Sequence, residues 1–308
     1  MSRRIIVGSR GSKLALVQTE SVVAKIREMN PDLDITVSKI VTTGDRNRES
    51  PIDQMGTAIF VKELEDALLG ERIDIAVHSL KDVPTVLPPG LCLSGVTERL
   101  DPRDVLVARV GLNELAPGSR IGTSSLRRTV QLISYRHDLQ ACPIRGNVDT
   151  RLRKVFSGEF DGVMLAAAAL LRLGLESRIT EYLPLHHFLP AVGQGALVVE
   201  ARLSDMDIAR VMSSINHIPT WQCVTAERAL LRALGGGCRA PIAALGTVSG
   251  NRLELEGMVA SMSGQKVLCA SEEGNAISAE EIGLKLAEKM LGMGAAEIIA
   301  EAKGSEKG

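Results

Sequence analysis

Apolar positions along the first two thirds of the chain follow two alternating rhythms: a short continuous apolar run, then a longer stretch with apolar residues three or four apart. Arg3 to Val7 predicts a short strand and Gly8-Ser9-Arg10-Gly11-Ser12 a turn. Ser12 can cap a helix to about Met29, with Leu14, Val17, Val22 and Ile26 on its apolar face. Leu33 to Val41 predicts the next strand, Thr42 to Thr57 a long polar loop, and Phe60, Leu64 and Leu68 a helix stopped by Gly70. Ile73 to Val77 is a buried strand delivering His78-Ser79-Leu80-Lys81-Asp82-Val83-Pro84 at its C-terminal end, the place where open α/β sheets bind ligands.

A second block of the same kind follows a strand pair expected around Leu91 to Val110. Ser119 to Gly122 reads as a strand running into Thr123-Ser124-Ser125-Leu126-Arg127-Arg128 and a helix to about Tyr135. Leu139 to Ile144 reads as another, running into Arg145-Gly146-Asn147-Val148-Asp149-Thr150-Arg151 and a helix. Small polar residues at a helix start, with free N–H groups and arginines close by, make a cradle for anions. Asp161 to Ala169 passes from strand to helix, and Ala191 to Glu200 is a glycine-rich loop entering a strand that can return to the first sheet. That return gives two lobes joined by two crossings. Helices from about Asp205 to Ile215 and Pro219 to Leu234 come next.

The last seventy or so residues change rhythm. Pro241 to Val248, Arg252 to Ala260 and Gln265 to Ser271 are short strands separated by Ser249-Gly250-Asn251 and Met262-Ser263-Gly264, both good hairpin turns. A helix from about Ser278 carries Ile282, Leu286, Met290 and Leu291 on one face, and the tail from Lys303 is expected to fray.

Length and composition agree with several packed domains: 308 residues, 45% hydrophobic and 24% charged. The start of the chain has no signal-peptide core and no apolar run reaches membrane-spanning length, so no membrane partner is expected. The five cysteines are odd in number and scattered, which argues for a reducing compartment, the cytoplasm. The histidines show no metal-ligand spacing with them, so no metal is expected. Net charge is −1, yet eight cations between Ser119 and Val155 face only Asp138 and Asp149, a surplus of six. Aromatic residues are 2% of the chain and this segment offers only Tyr135, so stacking platforms for nucleic acid are nearly absent. Carboxylates or phosphates on a small molecule fit better, since arginine's planar fork matches them.

One stretch stands apart. In Gly235-Gly236-Gly237-Cys238-Arg239-Ala240-Pro241-Ile242, three glycines and a proline predict a tight loop displaying Cys238, with Arg239 favouring its thiolate. Taken alone, the stretch better fits a glycine helix stop followed by a strand with an inert cysteine, since glycine stops are common and free cysteines usually inert.

Taken together, the motifs His78 to Pro84, Gly122 to Arg128, Arg145 to Leu152, Ala191 to Leu197, and Gly236-Gly237-Cys238 with Pro241-Ile242 resemble those of the porphobilinogen deaminases, in that family's order and over nearly the whole chain. The resemblance implies two α/β lobes like those of periplasmic binding proteins, with mixed sheets and flanking helices, plus a C-terminal α+β domain with a three-stranded antiparallel sheet. It places lobe 1 at residues 1–98 and about 193–216, lobe 2 at 99–192, and the C-terminal domain at 217–308.

The resemblance further implies a cytoplasmic, monomeric transferase of heme and porphyrin biosynthesis. Such an enzyme condenses four porphobilinogen molecules head to tail, with loss of ammonia, on a covalent dipyrromethane primer, and water then releases hydroxymethylbilane. Cys238 would carry the primer as a thioether and Asp82 would be catalytic, stabilising the pyrrole cations and relaying the N–H proton. Cofactor contacts would come from Ser79, Lys81, Asp82, Thr123, Ser124, Ser125, Arg127, Arg128, Arg145 and Gly146. Arg10, Ser12, Arg145, Asn147, Arg151, Arg178 and Gln194 would bind substrate. One departure stands out: Gly56-Thr57-Ala58 occupies the place of the family's Gly-Lys-Gly, so that lysine contact is missing and any lid role of the Thr42 to Thr57 loop is in doubt, although Phe60 is kept. A non-enzymatic anion-binding protein of the same two-lobe build explains the strand-end arginines but not a glycine-framed cysteine on a third domain.

Overall fold

The structure is a computed structural model, described here for residues 4–40, 61–235 and 240–304. The chain divides into two compact units, Met1–Leu100 with Ala196–Trp221, and Asp101–Gly195 with Gln222–Gly308.

In the first unit, β1 (Arg4–Arg10), β2 (Asp34–Ile40), β3 (Ile75–Ser79), β4 (Leu91–Val96) and β10 (Leu197–Arg202) form a five-stranded sheet in the order β2-β1-β3-β10-β4. β1 pairs in parallel with β2 and β3, whereas β10 is antiparallel to both β3 and β4. The strand after the glycine-rich loop therefore does return to the first sheet. Alternation along each strand separates two cores. Ile5, Val7, Ile75, Val77 and Val199 face Val22, Val23 and Ile26 of α1 (Lys13–Met29) and Ile208 and Met212 of α6 (Met206–Ser213). On the other face, Ala76, Ile73 and Leu91 pack against Leu64, Ala67 and Leu68 of α2 (Lys62–Leu69).

Within the second unit, β5 (Asp104–Ala108), β6 (Arg120–Gly122), β7 (Gln140–Cys142), β8 (Gly162–Ala166) and β9 (Glu181–Tyr182) form a sheet in the order β7-β6-β8-β5-β9. α3 (Leu126–Tyr135) follows β6, α4 (Val148–Phe156) follows β7 and α5 (Ala167–Arg172) follows β8, so β6-α3-β7 is a parallel βαβ unit. The same unit carries a three-stranded antiparallel sheet of β11 (Ile242–Ser249), β12 (Arg252–Ala260) and β13 (Val267–Asn275). α8 (Ala279–Gly292) and α9 (Ala295–Gly304), with the later turns of α7 (Ile218–Ala233), cover one face of it through Leu230, Leu286, Met290, Ile298 and Ile299. Its other face meets Val130 and Leu189 through Ala243, Leu245, Met258 and Ala260. Close packing of α8 on α7 depends on Gly283, where an added Cβ would lie 2.3 Å from the Ala226 carbonyl oxygen.

Three expectations are corrected. The first strand runs on through Gly8, Ser9 and Arg10 because parallel pairing with Ser38, Lys39 and Ile40 captures what looked like a turn. The strands around Leu91 to Val110 are not a pair: β4 bonds to β10, while β5 bonds to β8 and β9 in the other sheet. The last strand extends to Asn275 because β12 supplies partners as far as Arg252, rather than stopping at Ser271. Gly56-Thr57-Ala58, the Thr42 to Thr57 loop, Phe60 and Cys238 lie outside the described residues.

Candidate active site

β3 ends at Ser79, and the chain then turns through a single 3-10 turn, Leu80–Asp82, closed by the Val83 N–H donating to the Leu80 carbonyl at 3.1 Å. Leu80 is the anchor. Its side chain is buried and its N–H donates to the Ala196 carbonyl at 3.1 Å, which fixes the turn against the entry to β10. With the apolar residue pointing inward, Lys81 is exposed and Asp82 half-buried at the C-terminal edge of the sheet. Gln18 Nε2 of α1 donates to Ser79 Oγ at 2.8 Å and holds the strand end from one side. On the neighbouring parallel strand, Arg10 closes β1 and is half-buried, and Ser12 Oγ accepts the Ala15 N–H at 3.3 Å as the cap of α1. The first unit thus brings Arg10, Ser12, Ser79, Lys81 and Asp82 to the C-terminal ends of two adjacent strands, where loops leaving a parallel sheet bind ligands.

The second unit repeats the arrangement at β6 and β7. Ser125 caps α3, its Oγ accepting the Arg128 N–H, and Asn147 caps α4, its Oδ1 accepting the Thr150 N–H at 3.0 Å. Thr123 Oγ1 accepts the Ser125 N–H at 3.2 Å, and Ser124 Oγ donates to the Ile144 carbonyl at 2.7 Å while accepting its N–H at 3.2 Å, tying the two strand ends together. Gly146 has φ +106°, and a Cβ there would fall 2.6 Å from the Thr150 methyl, so glycine is required for the tight entry to α4.

The arginines fall into two groups. Arg127 and Arg128 are buried and clasp Asp104 at the start of β5: Arg127 Nη1 donates to Oδ2 at 2.7 Å and Arg128 Nη2 to Oδ1 at 2.8 Å. Their other donors reach the carbonyls of Leu189 at 2.7 Å and Met164 at 3.0 Å, and only Arg127 Nε is left buried without a partner. Burial alone would raise the Asp104 carboxyl, but the two guanidiniums override it and hold it well below the usual carboxylate range. These arginines therefore offer an anion the field of one surplus buried positive charge more than an open fork. Gln194, which is buried, donates from Nε2 to Asp104 Oδ1 and to the Pro102 carbonyl, both at 2.8 Å, and so completes this cluster.

Arg145, Arg151 and Arg178 stand nearer the solvent. Arg151 is half-buried, its Nε donating to the Gly146 carbonyl at 2.8 Å, and its terminal nitrogens have no protein partner among the described residues. Burial and then the charge of Arg128 pull it down to about 10, the mark of a cation short of counter-charge. Arg178 is exposed, its guanidinium 5.2 Å from the ring centre of Phe156. Arg145 is half-buried at the end of the strand-to-helix turn.

Sequence reading missed Asp104, the acid on which this basic cluster depends, and Arg172, which burial pulls down to about 10 and whose Nη2 donates to the Gly195 carbonyl at 2.7 Å. A charged residue opening an apolar strand, Asp104-Val105-Leu106-Val107, was the available signal. It also missed Glu227, fully buried on α7, whose two oxygens accept the N–H groups of Gly193 at 2.7 Å and Gly246 at 2.8 Å.

Among the described residues no cluster of histidine, cysteine and carboxylates can hold a metal, and no helix is long and apolar enough to cross a membrane. The family profile "Porphobilinogen deaminase, dipyromethane cofactor binding domain" matches residues 5–210, and "Porphobilinogen deaminase, C-terminal domain" matches residues 221–292. A porphobilinogen deaminase of Desulforudis audaxviator is 48% identical over 98% of this chain and 99% of its own length, and one of Geobacter metallireducens is 47% identical over 97% and 95%. Among solved structures, the methionine-binding protein MetQ aligns with 71% of this chain and 90% of its own at 12% identity and a TM-score of 0.44. With both profiles matched in order and relatives of that identity along almost the entire sequence, the chain belongs to the porphobilinogen deaminase family.

Proposed function

We propose that this protein joins four porphobilinogen molecules head to tail, releasing one ammonia at each join, and frees the linear hydroxymethylbilane by hydrolysis, with Asp82 as the group that acts on the reacting pyrroles. The observation that carries this reading is the setting of Asp82: half-buried, at the C-terminal end of a central strand, on a turn anchored by Leu80, in a chain of the porphobilinogen deaminase family. Loss of ammonia leaves a cation on the substrate, and the attacking pyrrole becomes cationic in turn. A fixed carboxylate at that point stabilises both charges and accepts the pyrrole N–H proton.

The donor set suits a molecule bearing many carboxylates. Asp104 balances only one of the two guanidiniums that clasp it, Arg127 Nε is an orphaned donor, and Arg151 is desolvated without an acid beside it. A bound dipyrromethane supplies the covalent primer on which the product chain is built. Cys238 is the proposed attachment point. Ser79, Lys81, Thr123, Ser124, Ser125, Arg127, Arg128, Arg145 and Gly146 are the residues proposed to hold it. Arg10, Ser12, Asn147, Arg151 and Arg178, again with Arg145, are proposed to bind the acetate and propionate groups of substrate, and Gln194 to support them through Asp104. Ser12 and Asn147 already serve as helix caps, so they contribute chiefly by fixing the N–H groups at the starts of α1 and α4.

On this reading the protein works as a monomer in the cytoplasm, a placement supported by its odd and scattered cysteines. Incubation with porphobilinogen tests the reaction: one ammonia per porphobilinogen consumed, with a linear tetrapyrrole as product, is expected. Consumption without ammonia release overturns the proposal.

A further inference from the structure

On the α2 side of the first sheet lies a buried polar cluster that the proposed chemistry does not use. His78 sits one residue before Ser79 on β3, and its Nε2 lies 3.0 Å from Glu200 Oε2 on β10. The side chains are 4% and 0% exposed. Glu65 is buried too, beside Leu64 on the helix that packs over this sheet face. One oxygen of each carboxylate, Glu65 Oε1 and Glu200 Oε1, is buried with no hydrogen-bond partner. Two carboxylates both ionised would leave a negative charge uncompensated in an apolar layer of Leu64, Leu68, Ile73 and Leu91. A single proton on one of them supplies the donor that both orphaned oxygens lack.

We propose that Glu65, Glu200 and His78 form one proton-sharing unit beneath α2, with Glu65 neutral and donating to the free oxygen of Glu200, and that this unit positions the turn carrying Asp82.

The groups around Glu65 support its being the neutral member. Burial first, then the negative charge of Glu200, then Asp66 on its own helix push its carboxyl up, and only His78 opposes them. Cys92 on β4 is likewise pushed up by burial and by Glu200, so it brings no positive charge. β1 turns Gly8 to Leu64 and Ile73 on this side. Arg202, two residues beyond Glu200, is committed to Asp74, Asp205 and the carbonyls of Leu68 and Ile73. The remaining acid near the start of α2, Glu63, adds no positive charge either.

The positioning follows from alternation along β3. Ser79 is held from the α1 side by Gln18 at 2.8 Å, and His78 from the α2 side by Glu200 at 3.0 Å, so two clamps on opposite faces fix the strand just before it turns to Asp82. This second half rests on the proposed role of Asp82.

Glu65→Gln keeps the shape of a neutral carboxyl and tests the first half. Infrared spectra of the full chain at neutral pH are expected to show a protonated carboxyl band that Glu65→Gln removes. A group raised above its unfolded value of 4.5 contributes stability that is complete below that value and lost as pH rises. The Tm of the parent is therefore expected to fall relative to Glu65→Gln as pH rises from that value towards neutrality. A band that survives the substitution, or a Tm difference independent of pH, overturns the shared proton.

For the second half, Glu200→Gln, or His78→Gln if Glu200→Gln does not fold, is expected to lower the condensation rate per loaded cofactor about tenfold at unchanged KM. A purely structural role reduces the loaded fraction and leaves the rate per loaded molecule intact, which overturns the positioning. Asp82→Asn run alongside separates the two failures: if it remains active, the role of Asp82 falls, while the band and the Tm slope still judge the proton-sharing unit.

Discussion

Asp104 and Arg128 meet in a buried pair, Arg128 Nε at 3.1 Å and Nη2 at 2.8 Å from the same carboxylate oxygen, and Arg127 takes the other oxygen. One acid thus orients two cations at the start of α3. Removing one partner of a buried ionic cluster leaves the rest unpaired, so Asp104→Asn should cost about 3–5 kcal/mol in a urea titration. Because its carboxyl is held below the usual range, the stability Asp104 contributes is present above that range and lost as pH falls. The gap between parent and Asp104→Asn should therefore narrow as pH is lowered from about 5.

Asp82 has no side-chain partner among the described residues, so its substitution should not disturb the fold. Asp82→Asn is expected to keep the parent Tm within a degree or so and to load cofactor, while the condensation rate falls by about a hundredfold or more. Stopped-flow or quench kinetics on the loaded variant checks this, and a fully active variant contradicts the assignment.

Arg151 has terminal nitrogens without a protein partner among the described residues, so its loss should be felt in binding rather than in folding. Arg151→Gln should raise KM for porphobilinogen about tenfold, the equivalent of about 1.4 kcal/mol, with a stability change of about 1 kcal/mol or less. Steady-state kinetics at two salt concentrations should show a smaller salt effect on KM in the variant than in the parent.

Glu227 links the glycine-rich loop to β11 through two backbone N–H groups. Glutamine keeps one acceptor oxygen, so Glu227→Gln leaves one buried N–H unsatisfied and should cost about 1–3 kcal/mol. Urea denaturation measures it, and an unchanged midpoint contradicts the link.

Features fixed by neighbours in sequence were legible. Ser12, Ser125 and Asn147 each accept an N–H three residues on, so the caps that build the strand-end sites could be read from short motifs. The apolar run after the glycine-rich loop was legible as a strand able to return to the first sheet, and β10 does pair there. Partners distant in sequence were not legible: Asp104 lies 23 and 24 residues from its arginines, and Glu227 lies 34 from Gly193. The assumed pairing of β4 with β5 failed for the same reason, since edge-to-edge choice depends on the whole sheet. α9 is a different case. Ala295, Ile298, Ile299 and Ala302 are buried at a helical spacing that the sequence shows, yet no helix separate from the one begun near Ser278 was read there.

The intact mass of the purified protein beside its Cys238→Ala variant tests the central claim most directly. The account predicts a parent heavier than its sequence by one dipyrromethane and a variant that matches its sequence, with only the parent reacting with Ehrlich's reagent. Two masses that both match their sequences, from cells supplied with porphobilinogen, would contradict a covalent primer on Cys238 and with it the proposed mechanism of chain growth.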